Sequence, residues 1–93
     1  MPCFFFDLHN DIDTLDLDGK ELPDLDAALA YALSEARAMI QASVADTGRI
    51  DLRDHIDVRD ESGEVVYVLH FEDAVTVQRG DEILSRASAL RSV

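Results

Sequence analysis

Imidazole, thiol and carboxylate groups are the usual ligands of zinc and copper, and this sequence offers them as His9, His55, His70, Cys3, Asp7 and Asp57. If residues 3–9, 55–60 and 64–71 are strands, side-chain alternation sends all six to one face of a sheet. A shared face is not a shared site. The close pairs that fix two ligands locally, C-x-x-C or H-x-x-x-H, do not occur, so convergence depends on strand order. No metal site is therefore assigned from the sequence. His9, His55 and His70 are the candidates, and exposed or interfacial imidazoles are the expected state.

Other chemistry is thinner. In the acidic run from Asp11 to Gly19, Asp16, Asp18 and Gly19 fit the middle of a calcium-binding helix-loop-helix pattern. The first position would then be Thr14 and the position needing a bidentate glutamate would be Leu25, so the match fails and a solvated acidic hairpin is expected. The serines at 34, 43, 62, 85, 88 and 92 fall in helix, turn or tail, none in the strand-to-helix setting of an activated nucleophile. Cys3 has no histidine beside it and reads as a packed thiol. There is no glycine-rich phosphate loop. No catalytic residue and no cofactor is expected, and the chain reads as a non-enzyme.

The elements that would position these residues begin with the stretch Glu21–Asp46. Taken at about 100° per residue, Leu25, Ala28, Leu29, Ala32, Ala36, Met39 and Ile40 cluster on one side, while Asp26, Ser34, Arg37 and Gln41 face away. Asp24 is the expected N-cap, sharpened by Pro23, and Gly48 the expected stop. Before the helix, Cys3–His9 alternates Phe4, Phe6 and Leu8 with Cys3, Phe5, Asp7 and His9, which predicts a first and central strand. A return strand is expected at Asp13–Leu17, with Leu15 and Leu17 inward. After the helix, Ile56 and Val58 alternate in a third strand. Asp60–Gly63 turns the chain, and Glu64–Phe71 returns with Val65, Tyr67, Leu69 and Phe71 on one side. Ala74, Val75 and Val77 are expected to extend the sheet edge.

The predicted fold is thus α+β, an antiparallel sheet of three to four strands with one long helix on one face, in the order β-β-α-β-β. The expected boundaries are a single domain over 1–78 and a C-terminal tail or short helix over 79–93. One helix covers one face only. Cys3, Phe5, Val66 and Val68 fall on the other, so a covered surface is expected there, either by the C-terminal segment through Ile83 and Leu84 or by a second copy, with the homodimer favoured.

Composition narrows the partners. Ninety-three residues make one domain, and 47% hydrophobic content is that of a globular chain. With 20 acidic and 8 basic side chains the formal charge is −12, which repels phosphate backbones and anionic membranes. Direct nucleic-acid or membrane binding is not expected; a basic protein partner is compatible. A lone cysteine makes no internal disulfide, and Pro2–Leu8 is too short for a leader or membrane span, so a cytoplasmic protein is expected.

The segments Met1-Pro2, Phe4-Phe5-Phe6, Asp18-Gly19, Glu21-Leu-Pro-Asp-Leu25 with Ala28, Val58-Arg-Asp-Glu-Ser-Gly63 and Phe71-Glu-Asp-Ala-Val75 occur in that order. As a set they resemble a small single-domain family of unknown function that is widespread in alphaproteobacteria, especially rhizobia, over about residues 1 to 77. The resemblance implies a bacterial, cytoplasmic α+β protein and carries over no catalytic residues. At the level of fold alone, the arrangement is also similar to the partial ribonuclease-H-like domain of HicB-type antitoxins. Three functions are therefore carried forward: a homodimeric protein-interaction domain, an acidic antitoxin-like or nucleic-acid-mimic inhibitor of a basic partner, and a metal binder using the histidine face.

Overall fold

The computed structural model describes residues 1–88. Its chain order is β1 (Cys3–His9), β2 (Lys20–Glu21), α1 (Leu25–Thr47), β3 (His55–Arg59), β4 (Val65–His70), a single 3₁₀ turn (Phe71–Asp73), β5 (Val77–Arg79) and β6 (Glu82–Ser85). The first four strands form one antiparallel sheet in the order β2-β1-β3-β4, with α1 across one face, and β5 and β6 pair only with each other. The α+β expectation and the central place of β1 hold.

Helix α1 begins and ends where its caps require. The Asp24 carboxylate accepts from the Ala27 amide at 2.9 Å, satisfying a donor that the first turn leaves free. Gly48 takes a left-handed conformation (φ 72°), and its amide reaches back to the Val44 carbonyl. Ala28, Ala32 and Ala36, one turn apart, are fully buried, as are Ile56, Val58 and Leu69 or nearly so. Three alanines in a row bring the helix backbone down onto the sheet, and Phe4, Ile40, Phe71 and Ala74 close the core around that contact. Leu25, expected in this stripe, is 39% exposed because it stands at the first turn, before the helix meets the sheet.

Three local expectations fail. Residues 13–17 do not form a strand: Leu15 and Leu17 are exposed, and one backbone bridge, Thr14 to Leu8, is all that remains of it. The second strand is instead the two-residue β2, where Cys3 pairs with Glu21 and Phe4 with Lys20. The register of β3 and β4 shifts between Val58 and Arg59, so Val65 sits opposite Arg59 and Val66 is the extra residue of a bulge. Val66 packs against the core while Val65 is exposed, the reverse of strict alternation. Finally, Val77 does not extend the main sheet. It opens the β5–β6 hairpin, where a tail or short helix was expected from residue 79. Ile83 and Leu84 are exposed on that hairpin and do not fold back over the sheet; residues 89–93 lie outside the described part. No helix among the described residues is long and apolar enough to cross a membrane.

Candidate functional site

The strand register builds the outer face of the sheet directly. Phe6 pairs with Val58 and Leu8 with Ile56, all turned to α1, so the alternate pairs Phe5–Arg59, Asp7–Asp57 and His9–His55 point outward. On β4, Val68 stands opposite Asp57 and His70 opposite His55. The three histidines therefore form a row across β1, β3 and β4 at one end of the face. At the other end lie Cys3, Phe5 and Arg59.

That second end is closed. Asp7 is 3% exposed, the one buried charged residue among those described. Its carboxylate accepts Arg59 Nε at 2.6 Å, Arg59 Nη2 at 3.1 Å and the Asp16 amide at 2.9 Å. Burial pushes the Asp7 carboxyl up, but the two-pronged guanidinium, the amide and the positive charge outweigh it and hold it below the usual carboxylate range. Asp16 extends the network in three directions. Its carbonyl accepts from Arg59, one carboxylate oxygen takes the Phe6 amide along the edge of β1, and the other takes the amides of Asp18 and Gly19. Side-chain acceptors thus replace the ladder that a 13–17 strand would have supplied. Gly19 (φ 73°) then passes so close that a Cβ there would lie 2.6 Å from Cys3 Sγ and 2.8 Å from the Phe5 ring. Phe5 is covered by Gly19 on its edge and by the Arg59 guanidinium, 5.0 Å from the ring centre. Cys3 and Phe5 are half-buried by their own chain.

The histidine end is open. The His9 and His55 rings stack with centres 4.8 Å apart and planes inclined by 19°, and His70 leans on His55 at 5.6 Å. His9 Nε2 lies 3.0 Å from Asp57 Oδ2, and His9 Nδ1 lies 3.0 Å from Asp13 Oδ1. His55 Nε2 stands 3.7 Å from the other Asp57 oxygen. The hydrogen bond that His9 donates to Asp13 raises the His9 pKa, partial burial opposes it, and the negative charge of Asp57 adds to the rise. The ligand-bearing atoms of His9, His55 and Asp57 all lie within 4.8 Å of one another. His70 is beside this trio but not part of it. Asp7, of the right residue type and on the right face, is held by Arg59 instead.

A shallow open depression adjoins the trio, bounded by His9, His55, Asp11, Asp13, Asp51 and Asp54 and by Arg53, which is paired to Asp51. Burial and the nearby charges of Asp51 and Asp11 push the Asp54 carboxyl above its ordinary value. A separate open cleft of about 310 Å³ lies between α1 and the 16–20 loop; there Tyr31 donates to Glu35 and Lys20 approaches the tyrosine ring. The sequence pattern found the row of histidines and Asp57. It did not single out Asp13, whose position depends on an irregular loop, or Arg59, whose place opposite Phe5 and beside Asp7 follows from the pairing of β1 with β3 and has no signal in the sequence.

All these residues lie in the part of the chain that precedes the β5–β6 hairpin. No curated protein and no solved structure matches the chain. A family model does, over residues 3–72, from the first strand to the turn after β4; the chain belongs to that family, a domain of unknown function (DUF6894).

Proposed function

We propose that this chain acts by binding rather than by catalysis, as a cytoplasmic bacterial interaction domain that pairs with a second copy of itself along β4. The carrying observation is the edge strand itself. Val65-Val-Tyr-Val-Leu-His70 contains no formal charge, in a chain whose 93 residues include 20 acidic and 8 basic side chains. It ends the sheet, so one row of its backbone N–H and C=O groups lacks a strand neighbour among the described residues. Val65 and Val68, 46% and 38% exposed, flank that row on the outer face. Two copies related by a two-fold axis would pair β4 antiparallel with β4, leaving most of the −12 charge at the periphery.

Sedimentation velocity of the full chain at tens of micromolar tests the reading. A species of about twice 10.3 kDa is expected, and a Val65→Lys/Val68→Lys double variant, folded by circular dichroism, runs as the monomer. A monomeric wild type, or a double variant that remains dimeric, contradicts it.

A second reading, an inhibitor-like complex with a basic protein, draws on the crowding of Asp11, Asp51 and Asp54. Burial and the charges of Asp51 and Asp11 raise Asp54 although Arg53 already stands among them and is held by Asp51, and a further basic side chain placed there would relieve the remaining repulsion. Asp11→Asn/Asp51→Asn would weaken such a complex and leave β4 pairing intact.

A further inference from the structure

We infer that His9, His55 and Asp57 bind a single zinc-type transition-metal ion, with Asp13 orienting His9 from behind. His9 and His55 are directly paired across β1 and β3, and Asp57 lies two residues along β3, so the strand ladder fixes all three backbones. Only side chains have to move to complete the site. Ligands at tetrahedral angles on an ion with bonds of about 2.0 Å stand about 3.3 Å apart. His9 Nε2 lies 3.0 Å from Asp57 Oδ2 and His55 Nε2 lies 3.7 Å from Asp57 Oδ1, and with one ligand atom taken from each residue the trio lies within 4.8 Å. The side chains are 23%, 33% and 21% exposed, which leaves room to close that remaining gap.

The polar contacts leave the cluster incompletely hydrogen-bonded at His55. The 3.7 Å between His55 Nε2 and Asp57 Oδ1 is too long for a hydrogen bond, yet suits two ligands sharing one ion. A neutral imidazole has one N–H to give, and His9 has carboxylate oxygens 3.0 Å from both nitrogens. With Nδ1–H donated to Asp13, Nε2 faces Asp57, and that contact is satisfied by a second proton on the ring or by a metal ion that displaces it. Carboxylate behind histidine, histidine on the metal, is the arrangement that fixes the ring and raises its basicity. Two imidazole nitrogens and one carboxylate suit zinc, copper or nickel better than calcium or magnesium, which prefer oxygen throughout. The depression beside His9 and His55 is lined by Asp11, Asp13, Asp51 and Asp54 against one cation, Arg53, which Asp51 holds, so its net charge is negative and favours the approach of a cation.

This site does not depend on self-association, and the two are separable: the Val65→Lys/Val68→Lys variant should retain the ion. The test is isothermal titration of the full chain with Zn²⁺ alone, supported by equilibrium dialysis. One ion per chain is expected. His55→Ala and Asp57→Asn should lose measurable binding, Asp13→Asn should weaken it roughly 10- to 100-fold, and His70→Ala should bind as the wild type. Circular dichroism establishes that each variant is folded. Should a ligand variant unfold, Co²⁺ in the wild type gives the second readout, with visible bands of a low-symmetry nitrogen and oxygen site expected. Absence of binding, several weak ions per chain, or binding unchanged by His55→Ala and lost with Asp11→Asn/Asp51→Asn would overturn the inference. So would a Co²⁺ spectrum that stays that of the hexaaquo ion.

Discussion

The two ends of the β1–β3 pair are made from similar parts, aspartates facing cationic side chains, but they differ in how far the protein itself has completed them. At one end Asp7 is buried and meets Arg59 through two nitrogens, with the Asp16 amide filling a further acceptor site. A guanidinium is permanently charged and supplies its own cation, so nothing exchangeable is needed. At the other end Asp57 and Asp13 meet His9, whose charge requires a proton or a metal, and all three stay in reach of solvent. Adjacent positions of one ladder thus hold a structural lock and an exchangeable cation site. The difference follows from residue type and coverage rather than from backbone geometry.

Removing the lock should have the largest effect. Asp7→Ala leaves Arg59 half-buried without its partner and the Asp16 amide without its acceptor, and is expected to cost about 3 kcal/mol in a urea unfolding curve. The corresponding change at the open end, Asp57→Ala in metal-free protein, should cost about 1 kcal/mol, because water replaces what is lost. Equal costs would erase the contrast. Gly19→Ala comes next. It needs φ near 73° and sets a methyl group against Cys3 and Phe5, for an expected loss of about 2 kcal/mol. Pairing it with Cys3→Ala should recover part of that loss, since the closest contact, 2.6 Å to Sγ, is then removed.

Acid and base should separate the two ends by sign. Asp7 is held below its ordinary value when folded, so its contribution is complete above the unfolded pKa, 3.8, and disappears as pH falls through the lower folded value. His9 is held above 6.5, so the stability it adds in metal-free protein is complete below that pH and is lost as pH rises through the higher folded value, with Asp13, Asp57 and His55 as its neighbours. Thermal melts of the metal-free chain between pH 2 and pH 9 should show both losses, the acid one abolished by Asp7→Ala and the neutral one by His9→Ala. The smallest effect is expected at His70. It is exposed and outside the ligand trio, and His70→Ala should change stability by less than about 0.5 kcal/mol.

Much of this arrangement is legible in the sequence. Alternation in Cys3–His9 and His55–Arg59 placed His9, His55 and Asp57 on one face, and the Asp60–Gly63 turn fixed β4 beside β3, which brought His70 to the row. Adjacency of β1 and β3 could not be read from periodicity, because α1 intervenes in the chain. The loop from 10 to 19 misled for a definite reason. Leu15 and Leu17 alternate as a strand would, but Asp16 offers its carboxylate to the Phe6, Asp18 and Gly19 amides and draws the backbone out of a ladder. That same departure carries Asp13 to His9, so the second carboxylate of the histidine end was hidden with it. The bulge beside Arg59 is a further case: one extra residue turned Val66 toward the core and Val65 toward solvent, which strict period-two reading cannot foresee.

The contrast between a finished and an unfinished end is tested most directly by following backbone amides and histidine ring signals by NMR while Zn²⁺ is added to the metal-free chain. The expected result is a change confined to His9, Asp13, His55 and Asp57 and their immediate neighbours, saturating at one equivalent, with Asp16, Gly19 and Arg59 unmoved. Shifts that centre on the Asp7–Asp16 loop, that spread evenly over the acidic surface, or that do not occur would contradict it.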